Sequence, residues 1–237
     1  MEFKLNKIYN IDCILAMKDM KDNSVDFVLT DIPYNVCNSY ISNGLRVLNK
    51  DKADEITFNL QEFLEQIYRI TNNSVCIFCG KEQFSSIFAF FSEKKGTTRA
   101  ICWEKTNPSP MNGQYIYLSG VELAVWFKKP GGGTFNAHCK NTVFKHPNGR
   151  RDIHPTQKNL QLFEELILDN SNEGDLIFDP CMGGGTTAIA SINTNRNYLG
   201  FELAEEYFNK TNEKIEKHLE ERANPKKKKV RKKKEEK

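Results

Sequence analysis

Residues 176–190 read LIFDPCMGGGTTAIA, and residues 198–202 follow with YLGFE. An apolar run ends in an acid and a proline, a glycine cluster makes the turn, and a helix-forming run comes next. Strand, turn, helix and second strand in that order build a parallel sheet with helices laid on its faces. Glycines let the backbone approach a ligand closely, and a helix N-terminus offers unpaired N–H groups and positive potential. The turn is neither GxGxxG nor the GxxxxGK[ST] of a phosphate loop, since no Lys follows the glycines. Glu202 ends the second strand roughly twenty residues after the turn, where an acid grips a ribose hydroxyl pair in dinucleotide folds. The pair predicts a nucleoside-containing ligand; the plainer reading is a glycine-rich turn that holds nothing.

Working outward, apolar and β-branched runs bounded by turn residues predict seven strands: Lys7–Ile11, Val25–Thr30, Ser74–Cys79, Arg99–Glu104, Glu122–Phe127, Leu176–Phe178 and Tyr198–Phe201. Helical periodicity falls near Leu60–Ile70, Gln83–Lys95, Asn159–Asp169, Thr186–Asn193 and Ala204–Arg222. The alternation predicts an α/β fold with a doubly wound, mostly parallel seven-stranded sheet over residues 1–223. Two segments interrupt it. Residues 35–59 are polar and irregular, and residues 128–153 are rich in Gly, Lys, Arg, His and Asn. Long loops of this kind in compact domains usually serve function or move. Residues 224–237 have too little apolar surface to offset ordering entropy and read as a disordered basic tail.

The 237 residues are 39% hydrophobic and 11% aromatic, enough for one sizeable core, which argues against a wholly disordered chain. No apolar run nears the ~20 residues of a membrane span. The opening MEFKLNKIYNID lacks a signal-peptide core, so a soluble, cytoplasmic protein is expected. The net charge of +3 hides an uneven distribution. Pro225–Lys237 carries +7 and residues 1–224 carry −4; within the latter, residues 128–158 carry +6 and the remaining scaffold −10. The tail's PKKKKV also resembles a nuclear-import signal, and a nuclear location is expected only if it acts as one. Seven cysteines, an odd number without a signal sequence, point to reduced thiols. Cys76 and Cys79 form a CxxC, but no second pair completes a zinc site, and on a strand positions i and i+3 face opposite ways. No metal is expected.

Two further motifs carry chemistry. VDFVLTDIPYN (residues 25–35) is a buried strand ending in Asp31, Ile32, Pro33 and Tyr34. Ligands in open α/β sheets bind at the carboxyl ends of strands. The exocyclic amine of a nucleobase is a poor nucleophile, because its lone pair is delocalised into the ring. A carboxylate and a backbone carbonyl that accept its two N–H bonds draw density onto the nitrogen and fix it for in-line attack. Asp31 and the Ile32 carbonyl suit those roles. Pro33 stiffens the turn, and Tyr34 can stack on the base, worth ~1–3 kcal/mol. The alternative is an acid that merely opens a turn before proline. HPTQK (residues 154–158) opens a helix, with Pro155 near its first position and His154 or Thr156 able to cap it, and a helix start alone is the plainer reading.

Taken together, DIPY at 31–34, HPTQK at 154–158 and DPCMGGGTT at 179–187 resemble the β-group of DNA amino methyltransferases, which use S-adenosylmethionine. That group carries a DPPY-type motif first, then HPTxKP, then DPFxGSGTT. FLEQIYRITNNSVCIFCG, ICWEKTNPSP and GVELAVWFKK resemble its central strands, so the likeness covers about residues 7–210. The resemblance implies a Rossmann-like methyltransferase sheet with a short target-recognition insert at 128–153. It implies that Asp31, Pro33 and Tyr34 are catalytic and hold a flipped base, with Asp31 also beside the cofactor. Asp179, Gly183, Gly185 and Thr186 match the cofactor turn, and Glu202 matches the acid on the cofactor ribose. His154, Thr156 and Lys158 match the motif that meets the methionine end. Asp12, with Cys13 beside it, matches the position that meets the adenine amine. The sequence departs from the pattern at Ile32, Cys181, Gly184 and Asn159, where the group commonly has Pro, Phe, Ser and Pro.

Asp rather than Ser at position 31 favours adenine N6 as the methyl acceptor in that group. Cytosine N4 is the alternative, and a non-catalytic DNA-binding protein on the same fold is the second. A dinucleotide oxidoreductase is opposed by the missing GxGxxG. The basic segment supplies Lys128, Lys129, Lys140, Lys145, Arg150 and Arg151 as phosphate contacts. Its brevity, about twenty-five residues, predicts a short recognition sequence or low specificity, with help from residues 35–59, and chemistry on a paired base requires extruding it. Double-stranded DNA, a homodimer and a cognate restriction endonuclease are the partners implied.

Overall fold

The computed structural model describes residues 2–34, 58–110, 112–131, 133–149 and 157–224. In chain order the elements are β1 (Lys7–Asn10), α1 (Cys13–Asp19), β2 (Val25–Asp31), α2 (Leu60–Ile70), β3 (Thr71–Cys79), α3 (Lys81–Glu93), β4 (Thr97–Lys105), β5 (Val121–Lys128), β6 (Val143–His146), α4 (Leu160–Asn170), β7 (Leu176–Asp179), α5 (Thr186–Asn193), β8 (Asn197–Glu202) and α6 (Glu205–Ala223). The strands form one sheet in the order β1-β8-β7-β2-β3-β5-β4-β6. Every neighbouring pair is parallel except the two that β5 makes with β3 and β4. The sheet is therefore mostly parallel, with β5 alone reversed among the described residues.

Among the described residues eight strands stand where seven are expected. The added one, β6, lies inside the segment read as an irregular insert. It spans four residues and adds only to the edge, pairing Cys102 with Val143 and Lys105 with His146. So short a run carries too little alternation to be read from the sequence. Helix α1 is also additional. Asp12 caps it, with Oδ1 accepting the Leu15 N–H at 3.0 Å, and Cys13, Ile14, Ala16 and Met17 face the core.

The helices divide between the two faces. Helices α1, α2 and α3 bury Met17, Phe63, Ile67 and Phe91 against Val28, Ile77 and Phe127. On the other face α4 buries Leu162, Phe163 and Ile167 against Leu29, Phe78 and Trp103, and α6 joins α5 and β1 through Ile215, Ile189 and Ile8. Strand alternation sends Cys76 to one face and Cys79 to the other, as the spacing predicts. Burial pushes the Cys79 thiol up to about 12, which keeps it protonated and unreactive.

The topology also fixes where a ligand can sit. From β2 the chain moves one way to β3, and from β7 it moves the other way to β8, while β2 and β7 lie side by side with Val28 opposite Phe178. The strand order reverses at that junction, and the crevice outside the carboxyl ends there is the binding position of open α/β sheets. Asp31 ends β2 and Asp179 ends β7. Among the described residues no helix is long and apolar enough to cross a membrane.

Candidate active site

The two acids at the junction are built differently. Asp179 is buried and fully engaged: Oδ1 accepts from the Thr30 hydroxyl at 2.7 Å and the Cys181 N–H at 3.0 Å, and Oδ2 accepts from the Thr187 hydroxyl at 2.5 Å. It ties β2, the glycine turn and α5 together. Burial raises its carboxyl to about 7, against those three donors, which pull it down.

Past Asp179 the turn needs glycine at two places. Gly183 and Gly185 hold φ of 48° and 73°, in the left-handed region. A Cβ at Gly183 would meet nothing closer than the Cys181 carbonyl at 3.9 Å, so open space lies over that backbone. A Cβ at Gly185 would fall 2.6 Å from Thr211 Cγ2, and Thr211 is pinned by its hydroxyl bond to the Gly183 carbonyl at 2.6 Å. Gly185→Ala is therefore expected to cost about 1–2 kcal/mol from the left-handed backbone alone, read as a lower melting temperature, and to weaken binding of whatever the turn holds. Glu202 ends β8 beside this turn. Its Oε2 accepts the Gly183 N–H at 2.8 Å and its Oε1 the Ala204 N–H at 2.9 Å. The Leu203 N–H also bears on this carboxylate, so of its about four acceptor positions one remains for a ligand hydroxyl. Cys181 packs against the core cluster that holds Cys13, which brings the start of α1 close to the same turn. The structure thus gathers Asp12, Cys13, Gly183, Gly185, Thr186 and Glu202 at one end of the sheet. The Asp12 carboxylate serves as the α1 cap.

Asp31 sits in a second cluster that sequence reasoning finds only in part. Lys158, 5% exposed, places its ammonium 2.9 Å from Asp31 Oδ1, 2.5 Å from Glu122 Oε2 and 2.6 Å from the Tyr34 hydroxyl. Tyr34 donates its O–H to Glu122 Oε2 at 3.1 Å. Lys105 reaches Glu122 Oε1 at 2.6 Å. The result is a chain of alternating charge, Lys105, Glu122, Lys158 and Asp31, packed against the Tyr34 ring, whose centroid lies 4.7 Å from Lys158 Nζ. Lys158, expected among the cofactor contacts, has these partners around the DIPY turn. Burial would raise Glu122, but Lys158 and Lys105 outweigh it and hold the carboxyl at about 2. Burial raises Asp31 to about 6, with Lys158 pulling down and Glu122 pushing up. Asp31 Oδ1 is buried and, despite the nearby ammonium, makes no aligned hydrogen bond. The exposed fifth of that side chain (21%) therefore lies away from Oδ1.

Two neighbours fix the turn itself. Gln83 of α3 donates to the Pro33 carbonyl at 2.7 Å and accepts from the Gly80 N–H at 2.7 Å. A Cβ at Gly80 would crowd the Tyr34 Cβ and carbonyl at 3.2 Å. The departure at Ile32 has a physical account: its N–H donates to the Phe78 carbonyl at 3.2 Å, a bond proline cannot make, and its side chain is buried against α2 and α3. Glu122, Lys105 and Gln83 go unnoticed in the sequence. The available signal is charge inside apolar strand runs, in CWEK and GVEL.

The lysines of the basic segment do not form one surface. Lys128 pairs across the sheet with Ser74 and Thr97, at the starts of β3 and β4, so it and Lys129 lie at the end of the sheet opposite Asp31. Lys128 donates to Asn73 and the Gly133 carbonyl, and Lys129 to Asn23. Lys140 is held between Glu165 and Asp169 at 2.7 and 2.6 Å. Of the lysines read as phosphate contacts, Lys145, paired with Glu104 and 66% exposed, lies at the Asp31 end. Arg150, Arg151, His154 and Thr156 fall outside the described residues, as do most of 35–59 and the tail. Among the described residues there is no cluster of three or more side chains suited to a metal.

A family model described as DNA methylase matches residues 25–213. The Type II methyltransferase M.HpaI of Haemophilus parainfluenzae is 29% identical over 232 residues, covering 86% of this chain and 72% of that protein. M2.MboI of Moraxella bovis is 29% identical, covering 84% of each. Among solved structures, the M1.HpyAVI–SAM complex superposes with a TM-score of 0.68 at 29% identity, covering 88% of this chain and 98% of that one. The cytosine-N4-specific PvuII methyltransferase shares the fold at a TM-score of 0.69 and 15% identity. With four-fifths of its residues inside the family match and both motif clusters at the sheet's reversal point, this chain belongs to the DNA methylase family, enzymes that take their methyl group from S-adenosylmethionine.

Proposed function

We propose that the chain methylates adenine N6 in double-stranded DNA, with the target base swung out of the helix. The observation that carries this is the setting of Asp31: an acid on the last residue of β2, at the reversal point, with Tyr34 fixed beside it by Lys158 and Glu122. The fold itself does not choose the base, since it is shared with a cytosine-N4 enzyme. The choice of adenine rests on the acid at position 31.

The residues present fit S-adenosylmethionine. The open space over left-handed Gly183, the uncapped N-terminus of α5 and the remaining acceptor position of Glu202 suit a nucleoside with a free hydroxyl. Asp12, Cys13 and Thr186 border the same turn and would complete the adenosine side. When bound, that cofactor supplies an electrophilic methyl carried on a sulfonium. On the opposite flank, Asp31 and the Ile32 carbonyl accept the two N–H bonds of the adenine amine and hold its lone pair toward the cofactor side. Tyr34, kept a phenol because burial and the nearby carboxylates raise it far above its ordinary value, stacks on the base. The methylated nitrogen must shed a proton, and Asp31, raised to about 6 by burial, is placed to receive it. Lys145 would meet phosphates at this end of the sheet.

The test is mass spectrometry of nucleosides from DNA treated with the protein and S-adenosylmethionine. We expect 6-methyladenine and no 4-methylcytosine; 4-methylcytosine as the product overturns the adenine assignment.

A further inference from the structure

We infer that the tip of the loop joining β4 to β5, residues 112–120, is a wedge that enters the base stack of the DNA duplex beside the target base. The inference rests on the adenine-methylation reading above. The last rungs of this hairpin pair Glu104 with Val121 and Trp103 with Glu122, and the Lys105 N–H donates to the Gly120 carbonyl at 2.8 Å. Glu122 is the residue that holds Tyr34 and Lys158, so the loop rises directly from the wall of the site.

At its tip Tyr115, Ile116, Tyr117 and Leu118 are 75%, 52%, 101% and 42% exposed. Isolated exposed apolar residues need no explanation, but four in succession on one projection make a patch. The tip is shaped by its own bonds. The Gly113 N–H donates to the Pro110 carbonyl at 3.1 Å, and the Tyr115 and Ile116 N–H groups donate to the Asn112 carbonyl at 2.9 and 3.2 Å. Leu118 lies so close over Gly113 that a Cβ there would sit 2.8 Å from its methyl group. The aromatic rings are thus presented on a formed turn, which lowers the ordering cost of binding.

Charge selects the occupant. Residues 106–121 contain no Asp, Glu, Lys or Arg, on a scaffold that carries −10 outside the basic segment. A stretch free of carboxylates does not repel a polyanion, and a stretch free of lysines does not grip its phosphates. What remains is a neutral aromatic surface at the catalytic end of the sheet, suited to the faces of bases. Apolar side chains inserted between base steps unstack them, and a site that extrudes a base gains from whatever fills or opens the stack.

The experiment compares full-length wild type with Tyr117→Ser and Tyr117→Phe on two duplexes. One is fully paired; the other has the target adenine opposite an abasic site, so that it is already unstacked. We expect Tyr117→Ser to lose about ten- to a hundredfold in kcat/KM on the paired duplex, in line with the loss of one stacked base. The loss should shrink to within about threefold on the opened duplex, Tyr117→Phe should restore most of it, and affinity for S-adenosylmethionine should not move. An equal loss on both duplexes, or none, overturns the wedge. So does a change from dimer to monomer in Tyr117→Ser by sedimentation, since the patch would then cover a second copy of the chain. Wild type that binds S-adenosylmethionine but methylates neither duplex overturns the adenine-methylation reading itself.

Discussion

Asp31→Ala protein is expected to lose methyl transfer by on the order of 10²–10³-fold or more, measured with radiolabelled S-adenosylmethionine, while cofactor affinity stays within about threefold. On the proposed reading the acid is the acceptor that concentrates density on the attacked nitrogen, and the glycine turn and Glu202 would hold the cofactor without it. Near-normal rates in Asp31→Ala would sink the catalytic assignment. The same residue sets a pH dependence. Below about 6 its carboxyl is protonated and presents a donor where the amine needs an acceptor, so kcat/KM should climb with pH through about 6 and flatten above. Asp31→Asn should lack that limb. Stability runs the other way. The folded carboxyl stands above its ordinary value of 3.8, so this group's stabilisation is fully present below about 4 and is lost as pH rises through about 6. Activity and stability therefore make opposite demands on one buried acid, as expected where burial is used to tune a reacting group.

Lys158→Met has the second large effect. The ammonium is buried among Asp31, Glu122 and Tyr34, and removing it leaves a buried carboxylate without its cation. Breaking such a pair from one side costs about 3–5 kcal/mol, which for a chain of this size lowers the melting temperature by on the order of 10 °C. The functional consequence is a moved titration. Lys158 pulls the Asp31 carboxyl down and Glu122 pushes it up, so without Lys158 the limb should move to higher pH. At neutral pH the variant should be slow, and it should recover part of its rate in alkaline buffer. A pH profile that keeps its limb near 6 in Lys158→Met would separate the lysine from control of Asp31.

The turn that opens the sequence reading was legible because its chemistry is local. LIFDPCMGGGTT specifies strand end, glycine positions and helix start within one stretch, and Glu202 follows on the next strand. Helices α2, α4 and α5 follow from apolar periodicity with starts and ends close to those observed. What escaped is what sequence spacing does not encode. Glu122 and Lys105 meet because β4 and β5 pair as an antiparallel hairpin, and Lys158 meets Asp31 across 127 residues of chain. The basic segment misled for a related reason. Residues 128 to 158 are contiguous in sequence, but β5 runs against the sheet, so the segment starts at one end and returns to the other. Its lysines accordingly find Asn73, Asn23, Glu165 and Asp169 rather than a common face. Seven residues were too few for α1 to declare itself between β1 and β2, where its cap, Asp12, was read for the cofactor instead.

The insertion of β8 and β7 between β1 and β2 has a consequence for how the chain reaches this state. β1 and β2 are made first and are joined by only a short helix, yet in the finished sheet they stand three strand spacings apart, about 14 Å. The two strands that fill the gap are the last to leave the ribosome. Until residues 176–202 emerge, β1 has no hydrogen-bonded neighbour and β2 presents a bare edge. The same two late strands bring Asp179, the glycine turn and Glu202. If these residues form the cofactor cradle as proposed, closure of the sheet and completion of the cradle are one event, and a nascent chain would not hold its methyl donor before its fold is sealed.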